Sequence, residues 1–203
     1  MSEKFTKLYI SLKFRLHGMG FYRAMVMLEK GREIHAGFRK DGVTPEFQHQ
    51  LEIAHYILTL KDVAQLENAL ICALGHDYME DYPEQFDSAW IRSEFGAGNL
   101  NTMQLLNKNL AVDYPEYFGR LQNDLNGSIV KLADRVNNFQ SMNRGKFSVE
   151  KQRKYADEVQ RYFLPMAKYA RKKFPEQMDA YYNVETMLKS QHELLQLFLA
   201  DKN

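Results

Sequence analysis

Cysteine is nearly missing from this chain: 203 residues carry one, Cys72. Without a second thiol there is neither an internal disulfide framework nor a zinc site built from several cysteines. A reducing compartment is the natural setting, so the expected location is cytoplasmic. Excess charge of one sign is missing too, because 27 Lys+Arg stand against 26 Asp+Glu. A domain that neutralises the phosphates of a nucleic acid is normally strongly basic, so nucleic acid is not an expected partner, although a local basic pocket fits this balance. Long apolar runs are absent as well. Lys13 and Arg15 interrupt the N-terminal apolar stretch, which spoils a signal-peptide core or a membrane span, and no membrane partner is expected. The chain also has no Gly-x-x-x-x-Gly-Lys phosphate loop, no Gly-x-Gly-x-x-Gly turn and no Cys-x-x-Cys pair.

What is present is enough apolar side chain for one sizeable core, with 45% hydrophobic and 13% aromatic residues. No Gly/Ser/Pro-rich linker and no repeat of 20–50 residues divides the chain, so residues 1–203 read as a single domain. Four of the five prolines precede glutamate, at Pro45, Pro83, Pro115 and Pro175. Proline suits the first helical position and a carboxylate suits the first turn, so each pair predicts a helix start. Asp62 with Gln65 reads as a variant capping box before Val63, Leu66, Leu70 and Leu74. Strand-like alternation is scarce. The expectation is an all-α bundle of about eight to ten helices, near 4–16, 20–38, 46–60, 63–79, 84–95, 98–109, 114–124, 127–142, 148–173 and 178–200. Pro165 should kink the 148–173 helix, since it removes a hydrogen bond and crowds the preceding turn.

The densest polar cluster is His76-Asp77-Tyr78-Met79-Glu80-Asp81, at the end of the apolar run from Leu66. On a continuous helix His76 and Glu80, and Asp77 and Asp81, lie four apart and share one broad face. Three carboxylates there repel one another without a cation, and burying them unpaired is expensive, so a metal ion accounts for the cluster. A second segment, Gly127 to Ser141, has an apolar stripe (Ile129, Leu132, Ala133, Val136, Phe139) beside a polar line of Asp134, Asn138 and Ser141. A third runs from His35 through Arg39-Lys40-Asp41-Gly42 to His49. His17, His35, His55 and His192 read as packed or surface histidines.

Together these segments resemble the HD phosphohydrolase superfamily, whose pattern is a separate histidine, a His-Asp pair and a distant aspartate holding a divalent metal. The matching residues are His49, His76-Asp77 and Asp134. The order Arg39-Lys40-Asp41-Gly42, His49, His76-Asp77-x-x-Glu80-Asp81 and Lys131-Leu132-Ala133-Asp134-Arg135-x-x-Asn138 is similar to the hydrolase domain of the RelA/SpoT alarmone family and its single-domain small alarmone hydrolases, over about residues 20–175. The chain departs from that pattern at Gln50, where proline is usual; in a loop one residue longer before His49; at Asn137, where histidine is common; and at Tyr82, where threonine is usual.

The resemblance implies a helical HD domain that removes pyrophosphate from the 3′ position of guanosine tetra- or pentaphosphate, usually with manganese. It implies metal binding by His49, His76, Asp77 and Asp134, and substrate contacts from Arg39, Lys40, Asn138 and Ser141. Such a mixed imidazole and carboxylate set suits manganese, iron or zinc better than magnesium. Glu80 and Asp81, one turn beyond the metal pair, are expected to orient and deprotonate the attacking water. Arg135 is expected to brace the metal helix. Two alternatives stay open: an HD phosphohydrolase for another nucleotide or a phosphorylated dinucleotide cofactor, and a non-catalytic nucleotide-binding regulatory module. With no synthetase-like region after residue 175, alarmone synthesis is not expected. Residues 1–18 and those after 178 lie outside the resemblance and are expected either to cap the core or to form a homo-oligomer contact.

Overall fold

The computed structural model describes residues 3–39, 41–142 and 147–200, and among them there is no strand. The helices are α1 (Glu3–Gly18), α2 (Tyr22–Ile34), α3 (Gln48–Ile57), α4 (Leu66–Gly75), α5 (Tyr78–Asp81), α6 (Ser88–Leu106), α7 (Tyr114–Leu121), α8 (Leu125–Ser141), α9 (Val149–Glu158), α10 (Leu164–Lys173) and α11 (Met178–Ala200). The expected all-α bundle is the observed fold. Its centre is α4, whose residues Ala69 to Gly75 are all buried and which packs against α2, α3, α6 and α8. A helix apolar on every side belongs in the middle of a bundle. The helix α8 is nearly as enclosed, with Ile129, Val130, Leu132, Ala133 and Val136 fully buried.

Residues outside the 20–175 stretch take part in this core. Phe5, Tyr9, Leu12 and Leu16 repeat at helical spacing along α1, and Ala180, Tyr181, Val184 and Leu188 do so along α11; both sets join the central cluster. Close packing elsewhere depends on Gly31 of α2. A Cβ there would stand 2.5 Å from Phe47 Cε2 and 3.2 Å from the Leu74 carbonyl oxygen, so only glycine lets Phe47 seat at the entry to α3.

Several local expectations are corrected. The helix predicted over 63–79 starts at Leu66, because Asp62 sits at φ 57 and is no helix cap; its carboxylate pairs with Lys61 instead. It also ends at Gly75, and His76 and Asp77 form a turn before α5, across which the Asp81 amide donates to the Asp77 carbonyl at 2.8 Å. Pro83 opens a turn rather than a helix; α6 starts at Ser88, where the Asp87 carboxylate accepts from the Ala89 and Trp90 amides. Gly96, at φ 87, divides α6 in two, close to the two helices expected there. The 149–173 helix is continuous, but Val159–Phe163 is a π turn in which the Leu164 amide donates to the Val159 carbonyl, one residue further back than usual. That wide turn immediately before Pro165 takes up the proline's missing donor. Finally, α2 stops at Ile34, where His35 leaves the helical region, and further on Phe38 bridges Pro45, the Arg39 amide donates to the Thr44 carbonyl at 2.8 Å, and Gly42 adopts φ 71.

Candidate metal centre

The site forms where α3, α8 and the α4–α5 turn meet. His49 is in the first turn of α3, His76 and Asp77 follow α4, and Asp134 is midway along α8. One ligand atom from each of His49, His76 and Asp77 lies within 4.8 Å of the other two. Asp134 stands beside that triangle, its Oδ1 3.1 Å from His49 Nε2. The four residues that the sequence singled out as metal ligands are therefore brought together.

Hydrogen bonding decides which ring nitrogens face this centre. His76 Nδ1 is 2.8 Å from the Ala73 carbonyl oxygen, which can only accept, so Nδ1 holds a proton. His76 Nε2 is buried and makes no hydrogen bond among the described residues, yet it stands 3.1 Å from Asp77 Oδ2. Burial by itself would lower the His76 pKa, but the facing carboxylates of Asp77 and Asp134 overcome it and raise the pKa to about 9. The same contact holds the Asp77 carboxyl below its ordinary range against the opposing effect of burial. A lone pair and a carboxylate oxygen at this separation need a cation between them. Protonation of the ring supplies that positive charge in the metal-free chain, and a divalent metal ion can take its place. This donor set of two imidazoles and two carboxylates fits such an ion.

Around the centre are two adjoining lobes of a cleft, about 310 and 500 Å³ in volume, sharing His49, Asp77, Asp81, Arg39 and Asn138 in their walls. These sizes lie in the range of small-molecule sites. Glu80 and Asp81 separate in character. Glu80 is ion-paired to Lys108, whereas the Asp81 carboxyl is raised to about 6 by burial and by Asp77, Glu80 and Glu46. Asp81 thus takes up a proton closer to neutral pH than an ordinary carboxylate.

The substrate-contact residues fare differently. Arg39 lines both lobes, held by its backbone bond to Thr44. Lys40 lies outside the described residues. Asn138 also lines both lobes, but its Nδ2 donates to Asp134 Oδ1 at 2.6 Å, so this amide orients the Asp134 carboxylate. Ser141 lines the smaller lobe, and its hydroxyl donates to the Asn138 carbonyl at 3.3 Å, within its own helix. Arg135 braces the site as expected: its guanidinium lies between the Tyr155 and Phe163 rings and donates to Glu158 at 2.7 Å.

Sequence reasoning missed a set of cations. Lys131 sits 3.0 Å from Asp134 Oδ2, and its ammonium is held charged by Asp134 although burial opposes it. Lys108, Lys151 and Lys154 line the larger lobe. The spacing of Lys131 three residues before Asp134 on one helix was a legible signal. Nothing in the sequence ties Lys108 to this cleft. Gln50, noted only as a departure from the family pattern, is buried and donates to Asp77 Oδ2 at 3.3 Å. No described helix is long and apolar enough to cross a membrane. Neither the protein-family models nor the curated proteins yield a match to this chain.

Proposed function

We propose that this chain is a metal-dependent phosphohydrolase that converts guanosine 3′,5′-bispyrophosphate, or its pentaphosphate counterpart, to GDP or GTP and pyrophosphate. One observation carries the reading: His49, His76, Asp77 and Asp134 converge beside a cleft whose lining holds both carboxylates and lysines. The nucleotide identity comes from the resemblance to alarmone hydrolases. The four residues would hold a divalent ion, Mn²⁺ in the first instance, and when bound such an ion acidifies water at an open position near neutral pH. Asp81 accepts a proton from the attacking water. Lys108 ion-pairs with Glu80, and both line the larger lobe. The bond between phosphorus and the ribose 3′ oxygen breaks, the water oxygen leaves on pyrophosphate, and the 3′ oxygen gains a proton. Arg39 grips phosphate oxygens bidentately, and the lysine wall balances the remaining charge.

The test is to incubate the protein with Mn²⁺ and guanosine 3′,5′-bispyrophosphate, separate the products by anion exchange, and run His76→Ala/Asp77→Ala as control. GDP and pyrophosphate, absent with the control, are the expected result. Intact substrate beside bound metal would move the assignment to another nucleotide or a phosphorylated dinucleotide cofactor. A metal-free protein that binds nucleotide would make it a regulatory module.

A further inference from the structure

We infer that Asn137 and Glu52 are positioning residues for His49: together they set which nitrogen of that imidazole carries the proton and which faces the cation. The inference rests on the metal reading above. It starts from Glu52 on α3, whose carboxylate can only accept hydrogen bonds. Asn137 Nδ2 is 3.0 Å from Glu52 Oε2, so the amide nitrogen of Asn137 faces Glu52. Its carbonyl oxygen then faces the other way, 2.7 Å from His49 Nδ1. A carbonyl oxygen also only accepts, so Nδ1 must be the donor and hold a proton. The lone pair left at Nε2 points to the metal side, where Asp134 Oδ1 lies 3.1 Å away.

Asn137 is 3% exposed, so water does not compete for either end of its amide. Turning the amide over would set its oxygen against Glu52 and its nitrogen against Nδ1, and would drive the proton to Nε2, where it blocks the metal. Glu52 prevents that flip. It is itself held at Oε1 by Gln48 Nε2 at 3.0 Å and by Lys4 Nζ of α1 at 2.6 Å. His76 needs no such arrangement, since a main-chain carbonyl fixes its Nδ1 proton. One histidine of the centre is therefore set by backbone, and the other by a two-residue side-chain relay from α3 through α8.

The experiment compares full-length wild type, Asn137→Leu and the swapped double variant Asn137→Asp/Glu52→Gln. In the swap, the introduced aspartate accepts from His49 Nδ1 and the introduced glutamine donates to that aspartate. Both hydrogen bonds are thereby restored, with the amide and the carboxylate exchanged between the two positions. Two quantities are read: Mn²⁺ affinity by titration, and, in metal-free protein, the exchange-protected Nδ1 proton of His49 by NMR. The expected result for Asn137→Leu is loss of the protected proton and a fall in affinity of about 10–100-fold, the usual effect of removing a partner of a ligating histidine. The swap is expected to keep the proton and to bind Mn²⁺ like wild type. Wild-type affinity in a folded Asn137→Leu overturns the inference, as does a folded swap variant as weak as Asn137→Leu, since that would make the effect one of packing. Should Asn137→Leu fail to fold, the swap variant decides alone. A wild type that takes up no Mn²⁺ overturns the metal reading and the inference with it, and the wild-type titration tells that failure apart from the others.

Discussion

The acidic and basic groups of the cleft are drawn from the chain in different ways. Asp77, Glu80 and Asp81 come from five consecutive residues at the α4–α5 turn, joined by Glu46 from the entry to α3. The cations come from four separate places: Arg39 from a turn, Lys108 from a short 3₁₀ segment, Lys131 from α8, and Lys151 and Lys154 from α9. Burial and the neighbouring carboxylates push Asp81 up to about 6, while Asp134 holds Lys131 charged in a buried position. Charges of one sign gathered from one stretch repel and ask for a cation. Charges of the other sign gathered from many stretches meet carboxylates in ion pairs, Lys108 with Glu80, Lys131 with Asp134 and Lys154 with Glu158.

The sharpest way to break this comparison is to neutralise the acidic side. Glu80→Gln/Asp81→Asn is expected to lower turnover by roughly 10²–10⁴-fold, the usual contribution of a general base, while Mn²⁺ still binds. Because Lys108 occupies Glu80, Asp81→Asn alone should account for most of that loss. Steady-state kinetics beside a metal titration checks both statements, and a wild-type rate in the double variant would place the proton acceptor elsewhere. Next in size is the basic side. Arg39→Ala removes a charged hydrogen-bonding group, a class worth about 1.5–3 kcal/mol, and is expected to raise KM by about tenfold or more with a smaller change in kcat. An unchanged KM would mean that the substrate does not reach this residue.

A third prediction concerns pH in the metal-free chain. His76 is raised in the folded state from 6.5 to about 9, so its pairing stabilises the fold fully below pH 6.5 and that contribution is lost as pH rises through 9. Asp77 is lowered, so the same pair also weakens at the acid end, as pH falls below the ordinary carboxylate value of 3.8. Thermal unfolding should thus show Tm falling between pH 6.5 and 9, and Mn²⁺ should remove the fall because it takes the place of the proton. A flat metal-free profile over that window would contradict the His76–Asp77 pairing. The smallest effect is expected for Ser141→Ala. Its hydroxyl is already given to the Asn138 carbonyl, so kcat/KM should stay within about twofold, in keeping with loss of one modest hydrogen bond.

The difference between the two sides also explains what could be read in advance. His76-Asp77-x-x-Glu80-Asp81 was visible because its chemistry is contiguous, and Asp134 with Asn138 because a helix brings residues four apart together. The break in the helix after Gly75 was not visible, nor were the separate partners of this cluster, Lys108 for Glu80 and His76 for Asp77. Ser141 fits the helical spacing of the polar line, but spacing says nothing about where a hydroxyl finds its acceptor. His35 reads in sequence as an ordinary packed histidine, and its ring is indeed enclosed, against Phe47 and Tyr82. What sequence could not give is its neighbour Glu46, 3.9 Å from Nδ1 and hydrogen-bonded to Tyr82.

By itself the sequence determined the class of the fold and singled out the histidines and carboxylates that meet at the candidate site. Helical periodicity, capping residues and one continuous apolar composition are local properties, and they were enough to give an all-α bundle; that α4 and α8 lie at its centre was decided by packing. Tertiary structure alone decided which atoms of the site meet. The donor at His49 Nδ1 depends on an amide 88 residues away and a carboxylate 85 residues from that amide. The lysines reach one cleft only because α8, α9 and the 3₁₀ segment after α6 close around it. Hydrogen bonds and charges act over a few ångströms of space, whatever the separation along the chain, so their partners are settled only when the helices have packed.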